Sequence, residues 1–412
     1  MKEYDSEYGT EFDEDIQPPT LPPTRLASID AYRGLVMLLM LGEVLHFRKV
    51  AEALPDNPIW KLLGHHQEHV EWVGCSLHDL IQPGFSFLVG VALPFSLASR
   101  GARGQSKALM ILHACWRALI LVFLGIFLRS MGKPQTNFTF EDTLTQIGLG
   151  YPILFILGMR PRRDQWIALA VLLVGYWMAF ALYPLPTSEF DYAKVGVPPE
   201  WLQEHGLTGF AAHWNKNSNP AWAFDQWFLN LFGRPSPFEF NRGGYSTLSF
   251  IPTLGTMILG LLAGGVLRWN RPSIGKLGWL IAAGLVGLGV GYGLGWLGIC
   301  PVVKRIWTPS WTLFSGGWCF LFLAFFYATT DAIGFAGWSF PLRVIGANSI
   351  AAYLMSWTIK GWIESNLKTH LGAQAFEVFG PEYAPAVAGA SVLLVIWLIL
   401  LWMYQCKIFL RI

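Results

Sequence analysis

The stretch APAVAGASVLLVIWLILLWMYQ, Ala384–Gln405, contains no charged residue and no histidine. A helix that crosses a bilayer needs about 20 mostly apolar residues, and this run supplies them. Nine further stretches read the same way: Ile29–Phe47, Asp79–Ser99, Ala108–Met131, Leu144–Met159, Gln165–Leu185, Ser246–Arg268, Lys276–Ile299, Trp311–Ile333 and Pro341–Ile363. The expected fold is therefore an all-α, polytopic membrane helix bundle of about ten spans. Composition agrees. Only 14% of residues are charged, 53% are hydrophobic, and the mean hydropathy is +0.41. Soluble domains carry roughly 25% charged residues.

Lysine and arginine set the expected orientation. Arg100, Arg103 and Lys107 follow the second span, and Arg160, Arg162 and Arg163 follow the fourth. Arg268, Arg271 and Lys276 follow the sixth, and Lys407 and Arg411 follow the last. With ten spans, all of these share one side, which places both termini in the cytoplasm. Arg48, Lys49, Lys61, Lys304 and Arg305 fall on the outer side, in sparser segments. A net charge of +2 (29 minus 27) makes no case for a nucleic-acid partner. Residues 1–24 are acidic and then proline-rich, unlike a signal peptide, and read as a disordered cytoplasmic tail. Residues 25–412 read as one transmembrane domain.

Between the first two spans lies HHQEHVEWVGCSLHD, His65–Asp79. It holds four of the nine histidines and three carboxylates, on the outer side. Titratable groups at a bilayer edge are costly and mark candidate sites. Histidine trades protons near neutral pH. Asp79 directly precedes the second span, where it could cap the helix or hold His69 or His78 in one tautomer. His65 and His69 are four apart and could share a metal if the segment is helical. Acid–base use is the stronger reading, because no distant ligand set is evident, and no metal is expected. Trp72 and Gly74 read as anchors of the turn.

Three other groups stand out. Asp30 and Arg33 are three apart near the start of the first span, able to pair on one helix face or to meet a cofactor phosphate. Glu43 sits higher in the same apolar run and could orient a histidine or act as a base. Asn348 and Tyr353 are polar groups inside the ninth span; they could bridge helices or line a cavity. The segment 186–245 is, at about sixty residues, beyond the ordinary length of a structureless connection. Its tryptophans and the NRGGY run, with Asn241 and Arg242, suit a sugar, or else an interfacial aromatic belt. The glycines of the seventh span, from Gly278 to Gly298, read as packing. The five cysteines form no CxxC; Cys75 and Cys300 could pair across outer loops or simply fill core space.

Four motifs stand in order: RxxSIDxxRG (Arg25–Gly34), HxxWxGxxxxDLxxP (His69–Pro83), GxNSI (Gly346–Ile350) and KIFLRI (Lys407–Ile412). Leu254-Gly-Thr to Gly264-Gly and Pro301-Val to Trp311-Thr-Leu extend the likeness. Together they resemble the membrane domain of the heparan-α-glucosaminide N-acetyltransferase family and its bacterial relatives. The resemblance implies an acetyltransferase that takes acetyl-CoA from the cytoplasm and acetylates the amine of an amino sugar or glycan across the membrane. It implies His69 as the active-site histidine, because that residue opens the second motif, and a homodimer as one assembly. It implies a multi-pass protein of a bacterial cytoplasmic membrane. Relative to the family, the chain carries neither a lumenal domain nor an extra helix before Arg25, and a longer insert precedes His69. The asparagine used by the family falls nearest Val44, beside Glu43. On this reading the catalytic group is His69, Glu43 and Asp79. Trp72, Asn241, Arg242, Asn348 and Tyr353 meet the acceptor, and Asp30 and Arg33 meet the cofactor. A proton-coupled transporter of a sugar or small anion, a metal-handling membrane protein and a non-catalytic scaffold are the rival readings.

Overall fold

The structure, a computed structural model, describes residues 26–410. The expected tail, Arg25, Arg411 and Ile412 lie outside the described residues. Within them all the regular elements are helices, joined by one isolated bridge between Val73 and Val303. Seven helices are long and apolar enough to cross a membrane by length and composition. They contain, in order, α2 (Ile81–Ala102), α3 (Lys107–Ser130), α5 (Arg162–Ala181), α6 (Phe250–Leu267), α7 (Ser273–Trp296), α8 (Pro309–Phe326) and α12 (Ala384–Gln405). The chain is thus a multi-pass helical membrane protein. Its outward apolar surface fits that setting: Phe123, Phe127, Leu285 and Trp402 are all exposed.

The remaining three expected spans are helical but shorter. The first is α1 (Ala27–Leu41), followed by a tight turn at Gly42–Leu45 and a left-handed His46 at φ 48°. The chain then turns away into Phe47–Ala53, short of the straight helix expected to Phe47. Gln67 enforces the turn: its amide donates to the Gly42 carbonyl and accepts from Phe47 N–H, both at 2.6 Å. The fourth span is α4 (Thr143–Gly158), capped by Asp142, which accepts from Leu144 N–H. The ninth is not one helix. Asn348, at φ −125° and ψ 41°, separates α9 (Phe340–Ala347) from α10 (Ser349–Thr358). A second break at Ile359 starts α11 (Lys360–Leu371). The cause of the first break is visible. The buried Asn348 amide donates to the Ile408 carbonyl and accepts from Leu410 N–H, so it secures the C-terminal segment.

Two helix groups face each other. In one, α1 lies against α9 and α10; glycine makes the approach feasible, because a Cβ on Gly34 would collide with the Leu342 carbonyl and one on Gly346 with the Asp30 carbonyl. In the other, α3 and α4 form a hairpin that leans on α6 and α2 through α4. Gly284, Gly287 and Gly291 seat α7 against α8, the packing role expected of them. The segment 186–245 is structured, with short helices at Pro199–His205 and Pro220–Phe228. Its Trp214 is fully buried and stacks on Phe180 of α5 at a 5° interplanar angle. This segment covers one end of the bundle, hereafter the loop end. The opposite, tail end gathers the basic connections between α2 and α3, α4 and α5, and α6 and α7.

Candidate active site

His69 lies at the loop end, outside any helix. The preceding helix, Pro58–His66, stops at Gln67, so His65 and His69 do not share a helical face. His66 Nδ1 instead accepts from Leu77 N–H. Among the described residues no group of three His, Cys, Asp or Glu side chains is arranged to hold a metal ion.

His69 Nδ1 is 2.8 Å from Asp79 Oδ1. The Asp79 carboxylate is buried and crowded with donors. Its Oδ2 accepts from Val70 N–H at 3.2 Å, Ser76 N–H at 3.0 Å and Ser76 Oγ–H at 3.0 Å. Asp79 therefore organises its own turn rather than capping α2. Lys304 Nζ, 5% exposed, approaches Asp79 Oδ1 at 3.2 Å and His69 Nδ1 at 3.0 Å. An ammonium cannot accept a proton, and an ionised carboxylate has none to give. The buried carboxylate at 2.8 Å favours the tautomer with the proton on Nδ1, and in that tautomer Lys304 pairs with Asp79 rather than with the ring. His69 Nε2 is left with its lone pair. Burial pulls the imidazole below its ordinary value of 6.5; the Asp79 hydrogen bond opposes this, and Lys304 and His78 add to it. The shift favours the uncharged ring.

Lys304 reaches this point because the connection between α7 and α8 is sewn to the His65–Asp79 segment. Gly74 N–H donates to the Val302 carbonyl, and Val73 bridges Val303. Arg305 adds bonds to the carbonyls of Gly243 and Val70. In the sequence Lys304 appears only as half of a Lys–Arg pair in a segment expected on the outer side.

A cavity of about 470 Å³ opens in front of His69. Its wall includes His78, Glu43, Lys360, Arg129, Glu141 and Tyr245. Glu43 lies 3.3 Å from His78 Nε2 and 3.6 Å from Lys360, so it orients His78 rather than His69. The two imidazoles lie 4.5 Å apart, centroid to centroid. A second cavity, about 650 Å³, runs toward the tail end between the two helix groups. It is lined mainly by apolar side chains of α1, α2, α3 and α4, with Asp30, Arg33, Arg117 and Ser96 among them. Thr143 and Tyr353 line both cavities. The Tyr353 hydroxyl donates to Asp142 at 2.8 Å.

Asp30 and Arg33 pair at 3.4 Å, as their spacing implies. The positive end of α1 is met by Asp331, which accepts from Ala27 and Ser28 N–H at 3.0 Å each. Arg117, inside the apolar run of α3, was not singled out from the sequence, although a charge within a span is the relevant signal. It donates to the Tyr151 hydroxyl, and its Nε is buried without a hydrogen-bond partner.

Four residues expected to meet the acceptor do not line the cavity. Trp72 is 1% exposed and donates to the Trp214 carbonyl, fastening the loops together. Asn348 secures the C-terminal segment at the tail end, so it supplies no hydrogen bond near His69. Arg242 points to solvent. Asn241 stands one step back, donating to Glu141 and accepting from Gly243 and Tyr245 N–H. Tyr245, beside them in the sequence, is the member of that run in the wall. Cys75 and Cys300 are both free thiols; Ser310 donates to Cys300.

No protein-family model matches the chain. Two curated proteins do, both named heparan-alpha-glucosaminide N-acetyltransferase. The Homo sapiens protein is 24% identical over 83% of this chain and 55% of its own length. The Mus musculus protein is 22% identical over 82% of this chain and 55% of its own length. The chain spans about half the length of the curated relatives it matches. Across the greater part of its own length, this helical membrane protein is a distant relative of the heparan-alpha-glucosaminide N-acetyltransferases.

Proposed function

We propose that the protein is a membrane-bound acetyltransferase that passes an acetyl group from acetyl-CoA to the amine of an amino sugar, with His69 as the reacting base or acetyl carrier. One observation carries this reading: two cavities, one at each end of the bundle, share the wall formed by Thr143 and Tyr353, and an unencumbered imidazole nitrogen belongs to one of them. A donor and an acceptor that approach from opposite sides need such a meeting point. The relatives' names supply the reaction class.

The tail-end cavity fits the acyl donor in its chemistry. A long apolar lining suits a thin thioester-bearing arm. Arg33 and Arg117 offer charged donors, and the unpartnered Arg117 Nε is poised for an acceptor atom. The basic connections at that end face the cytoplasm in this reading, where acetyl-CoA is made. The amino sugar occupies the loop-end cavity on the far side, with Tyr245 offering a ring face.

The chemistry needs one proton moved. A sugar ammonium cannot attack a thioester until it loses a proton, and neutral His69 Nε2 accepts it. The amine nitrogen then bonds to the acetyl carbon, the C–S bond breaks, and the CoA sulfur leaves with the electron pair and takes a proton. In the two-step variant Nε2 attacks first, CoA thiol departs, and the amine displaces the imidazole. In both, Asp79 keeps Nδ1–H in place and steadies the cationic ring, as a carboxylate does behind a catalytic histidine. Purified protein given labelled acetyl-CoA and glucosamine should form labelled N-acetyl sugar, and His69→Ala should not. Equal inactivity of both, across a panel of amino sugars, would overturn the reading in favour of transport. The cell membrane of a bacterium is the setting this reading carries with it.

A further inference from the structure

Three carboxylates stand in the wall of the loop-end cavity, and two are already matched. Glu43 faces His78 at 3.3 Å and Lys360 at 3.6 Å. Asp142 takes the Tyr353 hydroxyl and Leu144 N–H at 2.8 Å each, with Arg129 Nε at 3.5 Å. Asp79, behind the imidazole, is matched by Lys304 at 3.2 Å. Glu141 differs. Among the described residues no Lys, Arg or His nitrogen lies within the 4.0 Å of an ion pair. Its one side-chain partner is the Asn241 amide, on Oε2. The other oxygen carries no protein hydrogen bond and belongs to a residue of the cavity wall.

The remaining cations do not suit a positively charged ligand. Lys304 flanks the base, and Arg129 sits over the Trp357 ring at 5.0 Å. A primary ammonium brought into this cavity loses water and meets these charges; an anionic partner must offset both. We propose that Glu141 is the recognition point for the ammonium of the acceptor. The inference rests on the amino-sugar reading above and adds its specificity determinant. Burial raises the Glu141 carboxyl above its ordinary value, Asp142 pushes the same way, and Arg129 and Arg234 oppose from a distance. A carboxyl in that condition is ionised most readily when a cation arrives. Asn241 is then a positioning residue. Its amide oxygen holds the turn through Gly243 and Tyr245 N–H, and its nitrogen aims Glu141. One turn so places the carboxylate and the Tyr245 ring, the two surfaces an amino sugar presents to.

The test compares glucosamine with glucose, which carries a hydroxyl in place of the ammonium. Calorimetric titration of the detergent-purified protein should show wild type preferring glucosamine. Glu141→Gln should weaken glucosamine by about tenfold, the scale of one charge-assisted contact, and leave glucose unchanged. Glu141→Asp, which keeps the charge, should retain part of the preference. Equal weakening of both sugars, no weakening of either, or no preference in wild type would overturn the proposal. Acetyl transfer measured on the same samples separates the two ideas. A preference that depends on Glu141 without any acetylation defeats the acetyltransferase and leaves the ammonium site. Acetylation that Glu141→Gln leaves equally selective defeats the ammonium site alone.

Discussion

The two cavities are built in opposite ways. At the loop end, charged groups from stretches far apart in sequence meet: Asp79 pairs with Lys304 and Glu43 with Lys360, and the unmatched Glu141 stands in the same wall. At the tail end the lining is mostly apolar helix surface, with polar contacts such as Asp30 with Arg33 and Arg117 with Tyr151 set into it. The first arrangement tunes protons, because buried charges within a few ångströms of one another fix which form each holds. The second holds a shape. A substitution at the loop end should therefore alter rate and pH response. One at the tail end should alter affinity for the acyl donor.

The largest expected effect tests the first half of that contrast. His69→Ala should lower acetyl transfer by about 10³-fold or more, within the range for a lost general base or nucleophile, with folded yield unchanged on size-exclusion chromatography. A variant that retains near-normal kcat would remove the imidazole from the chemistry. Asp79→Asn should come next, with kcat down by about 10²–10³-fold as the Nδ1–H tautomer loses its acceptor. A loss confined to KM would mean that Asp79 acts only on the loop.

The tail end is probed by Arg117→Gln. KM for acetyl-CoA should rise by about tenfold, the worth of one charge-assisted hydrogen bond, while KM for the amino sugar stays put. A change in the sugar KM instead would break the division of labour between the cavities. Lys304→Met gives a smaller and more specific signal. Lys304 depresses the His69 pKa, so its removal raises it. In the proposed mechanism the neutral ring is the active form, so the acidic limb of the rate profile should move to higher pH relative to wild type. A shift to lower pH, or none, would contradict the assigned protonation. Last, Trp72→Phe should cost about 1–2 kcal/mol of stability through its lost bond to the Trp214 carbonyl, read as a lower unfolding temperature, with kcat and both KM values nearly unchanged. A large KM effect would return Trp72 to the binding site.

The contrast also sets what could be read without coordinates. His69 and Asp79 are ten residues apart, in one segment between two apolar runs, so their pairing was legible. Asp30 and Arg33 follow from helical spacing alone. Lys304 is not reachable in this way. It lies 235 residues from His69, and the seam made by Gly74 with Val302, Val73 with Val303 and Arg305 with Val70 brings it there. Glu141 has the same difficulty: nothing near it in sequence marks it, and its role depends on what fails to stand beside it. The residues expected to meet the acceptor that stand outside the cavity wall have one thing in common. Trp72 and Asn241 lie in connections and Asn348 at a helix break, places where a polar or aromatic side chain can equally serve a ligand or satisfy backbone groups. Here they meet the Trp214, Glu141 and Ile408 partners that the fold presents.

The sequence by itself determined the all-helical membrane character, the segments that are helical and the histidine segment on one face. Those depend on the length and polarity of local runs, which a bilayer reads directly. Tertiary structure alone decided the breaks at Asn348 and Ile359, the turn at His46 clamped by Gln67, and the two cavities that meet at Tyr353. It also decided which carboxylates are matched and which one is left for a ligand. Those outcomes depend on which buried hydrogen-bonding groups find one another across hundreds of residues, and local propensity carries no record of that.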